Sequence, residues 1–220
     1  MRAVRLLFFV LTVSLLITSC TKTKHEYYPN GLLKSETQYR NGKEHGITKY
    51  FNKNYGTVIM EVYMVRGQKH GSFKRFYFNG NIEYEANYNY DVLDGIERNY
   101  TQQGQMISET TYKNGVKEGP HSTWYENGVL LSKGAYKNDL QEGEWLFYDE
   151  RGFLMGEAHF TEGSGEQIAY DHNGVKARVT TYSKGVKEGP ETYYNPDGTV
   201  EKVVQFHEDR IVSTTETSEE

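Results

Sequence analysis

Along most of this chain apolar and polar residues alternate with a period of two, as in Gly128-Val-Leu-Leu-Ser-Lys-Gly-Ala-Tyr136. The 3.6-residue apolar stripe of an amphipathic helix is missing, so the pattern predicts strands. Glycine cuts the alternation at regular intervals. A turn glycine falls at Gly31, Gly56, Gly80, Gly104, Gly128, Gly152, Gly174 and Gly198, at spacings of 25, 24, 24, 24, 24, 22 and 24 residues. A second glycine follows each of the first seven, at Gly46, Gly71, Gly95, Gly119, Gly143, Gly165 and Gly189. Self-similarity at a fixed period marks a repeat architecture. The chain holds eight copies of a unit of about 24 residues, copy 6 trimmed and copy 8 incomplete.

Aromatic residues keep step with the glycines. Four positions before the turn glycine stand Tyr27, Phe76, Tyr100, Trp124, Tyr148, Tyr170 and Tyr194, with Phe51 in copy 2, whose turn is one residue longer. Eight positions after it stand Tyr39, Tyr88, Tyr112, Tyr136, Phe160, Tyr182 and Phe206, with Tyr63 assigned to this second column in copy 2. Two residues before the second aromatic, on the same strand face, come Thr37, Ala86, Thr110, Gly134, Ala158, Thr180 and Val204, all small or β-branched. Each unit therefore reads as a β-hairpin. Asn-Gly at 30–31, 79–80, 127–128 and 173–174, and Asp197-Gly198, predict type I′ turns, which need positive φ at both residues. A second turn, Asn41-Gly42 or Asn114-Gly115, joins each hairpin to the next. The repeated phrase Gly-Val-Lys-Glu-Gly-Pro at 115–120 and 185–190 reads as this connection, with Gly119 and Gly189 closing the loop and Pro120 and Pro190 starting a strand. The predicted fold is all-β: an elongated meander of about eight hairpins in a single-layer twisted sheet. Sixteen strands at about 4.8 Å each would give a body roughly 75 Å long.

The run Tyr-Tyr-x-Asn-Gly-x-Leu-x-x-Glu-x-x-Tyr-x-Asn-Gly-Lys-x-x-Gly, from Tyr27 to Gly46, resembles the MORN repeat in its bacterial variant form. The resemblance extends over residues 27 to about 210. It also takes in the YwqK-like group of bacterial proteins, and with it an antitoxin role.

The N-terminus follows different rules. Arg2 and Arg5 precede an apolar run reaching Ile17, too short for a membrane span and placed where a secretory h-region belongs. It ends in Ile17-Thr18-Ser19-Cys20, which resembles the lipobox of bacterial lipoproteins. That resemblance implies cleavage before Cys20 and lipidation of its thiol. The expected organisation is a signal peptide at 1–19, a tether at 20–26, the repeat domain at 27–210 and a disordered acidic tail at 211–220. Thr21 after Cys20, in place of Asp, points to the outer membrane.

Composition narrows the chemistry. Cys20 is the one cysteine, so the chain has no disulfide framework and no thiolate metal site. A net charge of −5, more negative still without residues 1–19, speaks against nucleic acid. No polybasic membrane patch is legible beyond Lys22 and Lys24. His45 and His70 share a repeat position with Asp94, Glu118, Glu142 and Glu188, which suits a solvated turn or a shared hydrogen bond better than a catalytic base. Glu36, Glu85, Glu109 and Glu157 form a further column, read as cross-strand partners of Lys or Arg on an exposed face. No H-E-x-x-H, G-x-S-x-G or phosphate loop occurs. Neither a catalytic group nor a cofactor or metal site is expected.

What remains is surface. The position three before the turn glycine holds Tyr28, Tyr77 and Tyr125, which form the candidate binding surface, since tyrosine offers large contact area at low entropy cost. The functional expectation is a non-catalytic, lipid-anchored repeat scaffold that binds a protein partner in the cell envelope. Two alternatives stand beside it: an antitoxin or immunity protein, implied by the YwqK-like resemblance, and a glycan-binding module using the aromatic rows.

Overall fold

The computed structural model describes residues 21–217. Among them are eighteen strands in one antiparallel sheet and no helix. The first nine are β1 (Lys22–Tyr27), β2 (Leu33–Arg40), β3 (Lys43–Phe51), β4 (Val58–Val65), β5 (Gln68–Phe76), β6 (Ile82–Asn89), β7 (Val92–Leu93), β8 (Gly95–Tyr100) and β9 (Met106–Lys113). The second nine are β10 (Val116–Trp124), β11 (Leu130–Lys137), β12 (Leu140–Tyr148), β13 (Leu154–Thr161), β14 (Ser164–Tyr170), β15 (Lys176–Ser183), β16 (Val186–Tyr194), β17 (Val200–His207) and β18 (Arg210–Glu216). Each strand pairs with its neighbours in sequence, and β6 pairs with both β7 and β8, which are fragments of one strand parted at Asp94. The repeat meander read from the sequence is the fold.

Both chain ends differ from expectation. The stretch read as a tether holds β1, hydrogen-bonded to β2. The stretch read as a disordered tail from 211 onward contributes most of β18 (Arg210–Glu216), which pairs with β17. An edge strand needs only a free ladder of backbone groups to dock on, and acidic side chains pointing into water do not oppose it. The signal peptide and Cys20 lie outside the described residues.

The turns also exchange roles. Positive φ at two successive residues, the type I′ signature, occurs at Asn41-Gly42, Arg66-Gly67, Tyr90-Asp91, Asn114-Gly115, Asn138-Asp139, Glu162-Gly163, Lys184-Gly185 and Glu208-Asp209. The first seven are the connections between copies, and the last joins copy 8 to β18. At Asn30-Gly31 and its counterparts only the glycine has positive φ. There a five-residue loop is closed by two backbone bonds: Gly31 N–H to the Tyr28 carbonyl at 2.9 Å and Tyr28 N–H to the Leu32 carbonyl at 2.8 Å. The sheet thus has a long-loop end and a tight-turn end. Gly119 does not close a loop. It lies inside β10 at φ 113°, where the register with β9 slips between Lys117 and His121, so it is a bulge.

These bulges position the core. Tyr88, Tyr112, Tyr136, Phe160 and Phe206 each sit directly across from a bulge glycine, on Gly71, Gly95, Gly119, Gly143 and Gly189, and Tyr182 sits across from Gly165, where the β13–β14 register is unbroken. The glycine leaves room beside the ring. In copy 2 the residue opposite Gly46 is Met64, so Tyr63 does not belong to this column. The extra residue of that copy precedes Gly56, and counting eight onward reaches Met64. Tyr63 points the other way and is 39% exposed. The small column is buried at Thr37, Ala86, Thr110, Ala158, Thr180 and Val204. In copy 5, where the column holds Gly134, a Cβ would collide with the Trp145 indole. The tightest packing is Trp145, Ala158 and Phe160, flanked by Tyr136, Phe147 and Tyr182. The first aromatic column falls on the opposite face, where the Tyr100 hydroxyl donates to Glu85 at 2.7 Å and the Tyr170 hydroxyl to Glu157 at 2.7 Å.

Candidate functional site

Tyr28, Tyr77 and Tyr125 sit in the long loops of copies 1, 3 and 5. Their hydroxyls donate to the Phe51, Tyr100 and Tyr148 carbonyls at 2.9, 2.8 and 3.0 Å, each 23 residues further on. From the same loops Asn30, Asn79 and Asn127 donate through Nδ2 to the Lys53, Gln102 and Glu150 carbonyls at 2.8, 2.8 and 3.0 Å. All three tyrosines are half-buried. They staple one copy to the next, an architectural task the sequence alone did not suggest. Copies without this tyrosine cap their own loops. Asp149 accepts from the N–H of Arg151 and Phe153, and Asp171 from the N–H of Asn173 and Val175. At Asp171 these backbone bonds hold the carboxyl below its ordinary range. Replacing Tyr77 by Phe removes one staple and should cost about 1 kcal/mol, measured as a urea midpoint shift with unchanged slope.

Fixed loops make firm platforms for what they carry. Phe78 lies between the two stapling residues Tyr77 and Asn79, yet its ring is 70% exposed. In the neighbouring loop of copy 2, Asn52 Oδ1 accepts from the N–H groups of Asn54 and Tyr55, and the Tyr55 ring is 74% exposed. Adjacent copies thus present two large rings to solvent on anchored backbone. Sequence reasoning missed both, because neither stands in a periodic column. The available signal was the break in period: where copy 3 has Phe78, other copies have Pro29, Gln102, Glu126 and His172.

Polar groups elsewhere are taken up by the sheet. In the Glu column, Glu85 and Glu109 flank Arg98 at 3.2 and 2.6 Å, and Glu36 meets His25 at 3.1 Å. The Tyr100 hydroxyl is pushed up to about 12 by burial and by its bond to Glu85. His121 packs against Tyr136 and Trp145 and bonds Thr110 at 2.9 Å; burial, then Lys117, lowers its pKa. That keeps the ring neutral at pH 7. At the tight-turn end, Glu118, Glu142 and Glu188 accept from the N–H of Asn138, Glu162 and Glu208 at 3.0, 2.7 and 2.9 Å. This is the shared hydrogen bond read from that position. Among the described residues no group of three or more His, Cys, Asp or Glu is placed to hold a metal ion.

The family model described as MORN repeat variant matches residues 26–41, 69–90, 93–114 and 117–138, which are copies 1, 3, 4 and 5. Those four copies are similar to the MORN repeat variant, and the unmatched copies include the lengthened second and the trimmed sixth. No curated protein matches the sequence. Among solved structures, a chain of "Crystal Structure of TcdB2-TccC3-Cdc42" is similar over 85% of this chain at 9% identity, with a TM-score of 0.18. This chain spans 13% of that one, a superposition too loose to speak to function.

Proposed function

We propose that the chain is a non-catalytic repeat scaffold, tethered through a lipidated Cys20 to the bacterial cell envelope, that holds a protein partner on the long loops of copies 2 and 3. One observation carries the reading. Tyr55 and Phe78 are exposed on loops whose backbones are tied down, one by its own asparagine and the other by bonds to the next copy. Large rigid aromatics lose little entropy on contact and are the commonest anchors of protein interfaces. The rest of the molecule supports scaffolding: one continuous sheet, three pairs of copies stapled at their long loops, and carboxylates such as Glu85, Glu109 and Glu191 engaged as structural partners. The lipobox-like Ile17-Thr18-Ser19-Cys20 supplies the tether.

In-cell photocrosslinking tests it. A photoreactive residue at position 55 or 78 is expected to capture one envelope protein stoichiometrically, while the same residue at 184, at the other end of the sheet, captures none. Cys20→Ser should release the chain from the membrane fraction. The Tyr55→Ala/Phe78→Ala pair should abolish capture while changing stability by no more than about 1 kcal/mol, as surface substitutions do. Equal labelling from all three positions, or none from 55 and 78, would sink the proposal.

A further inference from the structure

The tight-turn end is built the same way in the last four intervals, and the first three depart from that rule. In those four the residue before the second glycine of the repeat offers an oxygen to the first N–H of the next turn. Glu118, Glu142, Ser164 and Glu188 do so for Asn138, Glu162, Lys184 and Glu208. At the first interval the corresponding residues are His45 and Arg66. No side chain among the described residues accepts from the Arg66 N–H. In place of a carboxylate there is a concavity of about 520 Å³, lined by Arg40, Asn41, Lys43, His45 and Arg66. No ion pair among the described residues involves Lys43 or Arg66, in a protein whose net charge is −5.

We propose that this concavity is a receptor for a carboxylate of an acidic segment on a partner protein. The molecule itself shows which chemistry fits. Three other intervals fill the equivalent place with a glutamate oxygen 2.7–3.0 Å from the turn N–H. An incoming Glu or Asp would take that bond from Arg66 and meet its guanidinium group, whose planar fork matches a carboxylate. Lys43 adds a second positive charge. The recess favours a side chain that can enter it over a flat charged surface. The site lies at the opposite end of the strands from Tyr55 and Phe78, so it goes beyond the scaffold reading and stands or falls separately from the crosslinking result.

The test is fluorescence anisotropy of a labelled hexaglutamate peptide with the detergent-solubilised full-length protein. Binding is expected, weakening as salt rises. Arg66→Glu should reduce affinity about tenfold or more, the scale of a lost charge-assisted bond. The decisive variant is His45→Glu, which restores the internal carboxylate of the later copies. It should lose the peptide to the same degree while melting at or above the wild-type temperature, so misfolding cannot account for the loss. Inorganic phosphate and glycerol 3-phosphate, at equal charge, should displace the peptide poorly. No binding by the wild type would overturn the proposal, as would wild-type affinity in His45→Glu. Full displacement by either phosphate would assign the pocket to phosphoryl ligands instead.

Discussion

Phe160→Ala is expected to destabilise the protein by about 3–5 kcal/mol, the cost of deleting a buried aromatic. Phe160 is 2% exposed, lies across from a glycine on both sides, Gly143 and Gly165, and packs edge-on against Tyr182 at 5.7 Å between ring centroids. A single-layer sheet has no second layer to close over a void, so neighbours along the row must collapse or water must enter. Repeat arrays pass stability between nearest neighbours, and the loss should therefore fall on copies 5 to 7 before it reaches copy 1. The two tryptophans report this locally. Fluorescence of Trp145, in the Phe160 cluster, should shift at lower urea than circular dichroism of the whole chain. Trp124 lies on the other face and complicates the signal, so the measurement is best made with Trp124→Phe. A loss below about 1 kcal/mol would mean that the cluster is not the centre of the core.

The second large effect is a pH dependence centred on Glu191. Its carboxylate is 3% exposed and accepts from Lys187 Nζ at 2.6 Å, Tyr193 Oη at 2.6 Å and Thr180 Oγ1 at 2.9 Å. Burial alone would raise its pKa, but these three bonds outweigh burial and hold it at about 2, against an ordinary 4.5. A carboxyl depressed in the folded state contributes stability that is fully present above the unfolded pKa. That stability is lost as the pH falls from about 4.5 towards 2. Integrated over that window the contribution is roughly 3 kcal/mol. Urea midpoints of the wild type should drop steeply between pH 5 and pH 3, two values chosen to bracket the upper part of this window. Glu191→Gln should be less stable at pH 7 and should show a flatter acid limb. Parallel limbs would remove Glu191 as the cause.

How much was legible beforehand depended on whether a position's demand is local. Turn and bulge glycines were readable because left-handed backbone selects glycine whatever surrounds it. The small column was readable because a ring lies next to each member, and at Gly134 not even a methyl fits. Turn type was misread because Asn-Gly occurs at both ends of the strands. The true type I′ positions also include Tyr90-Asp91 and Glu208-Asp209, where strand pairing imposes positive φ on residues that do not advertise it. Tyr63 was misplaced by one residue, and in a strand one residue exchanges the faces. β18 was hidden by its acidic flank, although Ser213-Thr214-Thr215 carried β-propensity. The stapling tyrosines pair with carbonyls 23 residues away, and a backbone acceptor leaves no trace in sequence. A faint signal did exist: at the long loop Tyr-x-Asn-Gly occurs in copies 1, 3 and 5 alone, although the same pattern recurs at the tight turns 39–42 and 112–115. The empty carboxylate place beside Arg66 needed the later copies' geometry to be noticed at all.

Those three staples have a bearing on how such an array can lengthen or shorten. They join copy 1 to 2, copy 3 to 4 and copy 5 to 6, leaving the junctions 2–3 and 4–5 without an equivalent. The smallest module that keeps its loop bonds to itself is therefore a pair of copies. Duplication or loss of a pair would preserve every such bond, whereas a single inserted copy would separate a tyrosine from its carbonyl. Heredity would then count this molecule in twos, although its sequence repeats in ones.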